Sequence, residues 1–67
     1  MEEKYLPDEP TYLIIGIVKD IRLKAVKIDK NWYPISVLKY GKEDSWKVGS
    51  LTEVEVYQWF LVEEKII

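Results

Sequence analysis

A chain of 67 residues with a net charge of −2 and neither Cys nor His has room for one domain, holds no disulfide, and cannot build the usual Cys/His zinc sites. At 48% hydrophobic and 13% aromatic residues it is globular in composition, not disordered. A fold this small buries only about 60% of its unfolded surface, so its core must be packed tightly or shared with another chain.

The longest wholly apolar run, residues 12–18, is seven long with Gly16 inside it, against the ~20 residues of a membrane-spanning helix. The start, Met-Glu-Glu-Lys-Tyr, lacks the apolar stretch of a secretion signal. A soluble, cytoplasmic protein without a membrane partner is expected. The charge is uneven. Residues 1–18 carry −3, residues 19–47 carry +4 and residues 48–67 carry −3. Such a basic middle between acidic ends reads either as an ordinary mixed surface or as a basic patch.

In chain order, residues 1–11, with Pro7, Pro10 and four acids, form an irregular acidic leader, and residues 12–67 form the domain. Residues 11–21 are the first strand, since Ile14, Ile15, Ile17 and Val18 are β-branched. Both faces of this strand are apolar over residues 13–18. It is therefore expected to be buried on both sides, or covered on one side by another element or a partner. Gly16 in its middle predicts a bulge or sharp bend. Residues 20–23 make a turn. Residues 24–29 alternate, with Val26 and Ile28 on one face and Ala25, Lys27 and Asp29 on the other, as a second strand. Asp29, Lys30 and Asn31 reverse the chain.

Residues 32–35 are a short third strand. Pro34 cannot donate to a ladder, so it marks an edge strand or a strand's end. Residues 36–40 predict one helical turn capped by Ser36. Residues 41–49 are a polar loop with a glycine at each end and Trp46 inside. Residues 51–57 alternate as a fourth strand. The capping-box spacing of Ser50 and Glu53 conflicts with that strand period, and the strand is preferred. Residues 58–67 read as a short C-terminal helix with Trp59, Val62 and Ile66 on one stripe, or as a prolonged strand. Short strands with spaced turns predict an all-β fold: a small antiparallel barrel or rolled sheet, SH3- or OB-like, of four to five strands with a short C-terminal helix.

The segment Trp32-Tyr33-Pro34-Ile35-Ser36, the strand Val54-Glu55-Val56-Tyr57 running into Gln58-Trp59-Phe60, and the tail Glu64-Lys65-Ile66-Ile67 resemble a set of small prokaryotic and phage-borne proteins. These share a Trp-x-Pro-x-Ser segment and a closing strand that leads into a Trp-bearing helix. The resemblance spans roughly residues 12–67. It implies a small β-barrel with a terminal helix and a nucleic-acid context. The sequence departs from it at Lys65, where glycine is usual before the final apolar pair.

Catalysis is not expected. Without His or Cys the common general base and thiol nucleophile are missing. Ser36, Ser45 and Ser50 sit in no nucleophile elbow, and the glycines at 16, 41 and 49 form no phosphate loop. Glu53 and Glu55 share a strand face and Asp20 and Asp29 bracket a hairpin, but paired acids on a strand are ordinarily solvated surface. No cofactor or small-molecule substrate is expected, because a pocket of useful size is hard to fit in so small a domain.

Nine aromatics exceed what one small core holds, so some lie at the surface or in an interface. Arg22, Lys24, Lys27 and Lys30 lie close in sequence to Tyr33, Tyr40 and Trp46. Single-stranded nucleic-acid binders pair cations that track phosphates with rings that stack on bases, so these seven residues are the candidate site. Trp32 and Trp59 are expected to be packing residues, and Trp46, in its polar loop, the accessible ring. The other reading is a protein-interaction or homo-oligomerising module, in which the apolar first strand or the edge near Pro34 pairs with a partner or a second copy.

Overall fold

The computed structural model describes residues 9–67, so most of the expected leader lies outside the described residues. Four antiparallel strands form one sheet in the order β3-β2-β1-β4: β1 Thr11–Ile21, β2 Ala25–Ile28, β3 Asn31–Pro34 and β4 Leu51–Tyr57. A 3₁₀ turn, Ile35–Val37, follows β3, and a short helix, α1 Gln58–Glu63, follows β4. The sheet curls into a half-barrel, the rolled all-β architecture expected from the strand pattern. Among the described residues no helix is long and apolar enough to cross a membrane.

The organising strand is β1, and its two halves serve different neighbours. Thr11 through Ile17 pair with β4, while Val18 through Ile21 pair with β2. The register slips between Val18 and Asp20, leaving Lys19 as an extra residue. This bulge lets the strand turn from one half-sheet into the other. The bend was expected at Gly16, which instead makes room. A Cβ there would lie 2.4 Å from the Asp29 carboxylate and 2.8 Å from Ile28 Cγ2. Asp29, at φ 55°, opens the two-residue link between β2 and β3. Its N–H donates to the Ile17 carbonyl at 2.8 Å, and its carboxylate accepts from the Ile17 N–H at 3.0 Å.

The chain closes the curl beyond β3. The expected Ser36 cap is absent: Pro34 precedes the 3₁₀ turn and no side chain caps it. After the turn, Leu38 bridges Val56 and the Lys39 N–H donates to the Glu55 carbonyl at 2.9 Å. The segment after β3 thus covers the far edge of β4, and the ends of the sheet meet around one core. That core holds Val18, Val26, Ile28, Tyr33, Val37, Leu38, Trp46, Val54, Val56, Phe60 and Leu61.

In α1 the expected stripe of Trp59, Val62 and Ile66 is replaced. Phe60 and Leu61 are the buried pair, while Trp59 and Val62 are exposed. A helix of under two turns takes its buried face from the angle at which β4 delivers it, and here that angle sets Phe60 against Tyr33, ring centroids 6.0 Å apart. Ile66 reaches the core from beyond the helix. No element of the described residues covers the outer face of β1: Leu13 and Ile15 there are each 54% exposed.

Candidate nucleic-acid interface

The β2–β3 ribbon carries the candidate site. Its register sets Val26 opposite Tyr33 and Lys27 opposite Trp32. Side chains alternate across a strand, so Tyr33 joins Val26 and Ile28 in the core while Trp32 joins Lys27 outside. Tyr33 is 2% exposed and Trp32 40%. The two adjacent aromatics therefore take the roles opposite to those expected. Trp32 is the surface ring that sequence reasoning missed. The local pattern does not choose between them: the link is two residues, Asp29 and Lys30, where a reversal over residues 29–31 was expected, and only with that register known does Val26 facing inward put Tyr33 inward as well.

Arg22, in the turn between β1 and β2, lies over the Trp32 ring, its guanidinium carbon 5.5 Å from the centroid. The same guanidinium donates to the Asp20 carboxylate through Nε at 3.2 Å and Nη2 at 3.1 Å. This hydrogen bond holds the Asp20 carboxyl below its usual range. Asp20 thereby orients Arg22 against the indole and offsets part of its charge. Lys27 lies across from Asp20 on one side and Trp32 on the other.

Lys24 ends the same turn, where its carbonyl accepts from the Ile35 N–H at 2.9 Å. Together with Leu23, Pro34, Ile35 and Ser36 it lines a shallow apolar depression at the end of β3. Lys30 stands at the other end, in the link between β2 and β3. Four of the expected cations thus border one short ribbon, with Trp32 in its middle.

The three expected rings are not with them on that face. Tyr33 is core, and burial raises its phenol above the usual tyrosine range. Trp46 is 6% exposed. It was expected to be accessible, yet the loop between its two glycines folds back and seats the indole in the core, where Nε1 has no acceptor among the described residues. Gly41 and Gly49, at φ 71° and 96°, supply the left-handed turns at the ends of that loop. Tyr40 is exposed, but Lys39 Nζ sits 5.4 Å from its ring centroid, and it lines a cleft with Leu13, Leu38 and the acids Glu43, Glu53 and Glu55. That surroundings is anionic and repels phosphate.

Among the described residues no three acidic side chains are grouped to hold a metal ion. Comparison with protein families, with curated proteins and with solved structures finds no match to this chain.

Proposed function

We propose that this chain is a non-enzymatic binding module that takes single-stranded nucleic acid on the outer face of the β2–β3 ribbon. The observation that carries the reading is the Trp32 indole, exposed on that face beneath Arg22 and across from Lys27. The indole offers a base a stacking surface worth about 1–3 kcal/mol, with the exposed Arg22 guanidinium swinging from the ring face to a phosphate as the base takes its place. Lys24 and Lys30 flank it and supply phosphate contacts. The surface is sequence-tolerant, because stacking and phosphate neutralisation read neither base edges nor a groove. A duplex fits less well, since its bases are already stacked on one another.

Intrinsic fluorescence tests this in a Trp59→Phe background, which leaves Trp32 and the buried Trp46. A single-stranded oligonucleotide is expected to quench the signal and a duplex to quench it less. Trp32→Ala should weaken binding by about tenfold or more, given the stacking term. For about three phosphates neutralised, log K should fall against log salt with a slope near about −2. Lys24→Glu combined with Lys27→Glu should abolish binding. Affinity that survives this double change, or the loss of Trp32, overturns the assignment.

A further inference from the structure

The half-strand Thr11–Ile17 is paired on one side only. Its even-numbered residues face β4: the Val18 N–H donates to the Ser50 carbonyl at 2.9 Å and the Gln58 N–H to the Pro10 carbonyl at 3.0 Å. The N–H and C=O groups of Thr11, Leu13, Ile15 and Ile17 therefore point the other way. Ile17 is closed there by Asp29, through both its N–H and its C=O. β2 reaches no further than Val18. The backbone groups of Thr11, Leu13 and Ile15 on this edge have no partner among the described residues.

The two edges of the sheet contrast. β3 is short and ends in Pro34, which blunts pairing. The β1 edge carries no charge from Thr11 to Val18, and its outward side chains are Leu13 and Ile15, each half exposed, with Glu55 and Glu53 across from them on β4 and Leu51 across from Ile17. A bare apolar edge is what soluble proteins ordinarily protect.

We infer that this edge is the interface of a homodimer, formed by antiparallel pairing of β1 with β1 of a second copy. A two-fold axis at Leu13 sets Leu13 against its own counterpart and Thr11 against Ile15 of the other chain, so every open group finds a partner. The ladder ends where the structure ends it, because Asp29 already occupies the N–H and C=O of Ile17. Charge favours a second copy of this chain over a different partner. Antiparallel pairing sets Glu9 opposite Ile17 of the other copy, toward the end where Lys19 and Lys30 outnumber Asp29. The contact is small, so association in about the micromolar range is expected. It rests on the β1 edge, whereas the nucleic-acid reading rests on Trp32 and Arg22; Lys30 alone borders both.

Sedimentation of the full chain from low to high micromolar concentration is expected to show a species of twice 8.0 kDa. Ile15→Lys, at an exposed position, should give a monomer with an unchanged circular dichroism spectrum. The chain has no cysteine, so Leu13→Cys should form an interchain disulfide on mild oxidation, because facing residues of a hydrogen-bonded pair lie about 5.5 Å apart. Leu51→Cys, on the same face but one strand away, should not. A monomer at every concentration overturns the inference. So does a dimer that survives Ile15→Lys, cross-linking that is equal at the two positions, or a monomer that dimerises only once residues 1–8 are removed, since the leader would then be the occupant of the edge.

Discussion

At the scale of single residues, the arrangement that decides most is Gly16 under Asp29. The Asp29 carboxylate caps the backbone where β2 ends, and it can approach only because residue 16 has no side chain. Gly16→Ala would force a methyl into the carboxylate and into Ile28, both closer than ordinary contact allows. Overpacking of this kind costs about 1–3 kcal/mol. Urea unfolding should therefore show a lowered midpoint for Gly16→Ala. The loss should be smaller when Asp29→Gly is present, since glycine keeps the left-handed backbone and removes the carboxylate. The Ile28 clash remains, so the rescue should be partial. Equal losses in both backgrounds would mean that Asp29 is not what Gly16 accommodates. The glycine was conspicuous in the sequence, but the reason for it was not. A bulge glycine and a clearance glycine look alike until the residue that approaches it, thirteen positions on, is known.

At the scale of elements, the end of α1 shows one sequence position whose meaning the structure supplies. The Ile66 N–H donates to the Leu61 carbonyl at 2.9 Å and the Lys65 N–H to the Val62 carbonyl at 3.1 Å. Lys65 itself sits at φ 59°. These are the two bonds of a Schellman C-cap, and Ile66 makes the accompanying apolar contact. A left-handed position at a helix end is ordinarily filled by glycine, and here a lysine bears the cost. Lys65→Gly should stabilise the chain by up to about 1 kcal/mol, read as a raised denaturant midpoint with unchanged slope. A neutral or destabilising result would show that the lysine makes a compensating interaction.

The strands themselves were legible. β-Branched runs and period-two alternation locate β1 and β4 at the observed residues, and Pro34 marks the end of an edge strand. Which aromatics are buried was not legible, for two physical reasons. Trp32 and Tyr33 are neighbours, so alternation is satisfied either way, and only the cross-strand register to Val26 and Lys27 chooses. Trp46 lies in a locally polar loop, and what buries it is closure of the whole curl. No local pattern reports that. That Arg22, Lys24, Lys27 and Lys30 lie together was legible because they share one hairpin, and hairpin partners are near in sequence as well as in space.

At the scale of the whole molecule, the response to pH follows from what the core contains. There is no histidine, and among the described residues no charged side chain is buried. Stability should therefore change little around neutral pH. On the acid side Asp20 is held below its usual range by Arg22. Its contribution is present above the unfolded carboxylate range and is lost as pH falls through the lower folded value. The pair is exposed, so that loss should be slight. The alkaline side belongs to Tyr33. Burial raises its phenol above 10, so the unfolded chain ionises there first while the folded chain keeps the proton. A state that holds its proton longer loses stability as pH rises from the unfolded value toward the folded one. Denaturant midpoints measured from pH 8 upward should fall beyond about pH 10. Tyr33→Phe removes the ionising group while keeping the ring against Phe60, so it should flatten that fall relative to the parent chain. Every other group is common to the two proteins, so the comparison isolates Tyr33. If both chains fall in parallel, the alkaline loss has another source, and the Tyr33 phenol is better solvated than its place in the core implies.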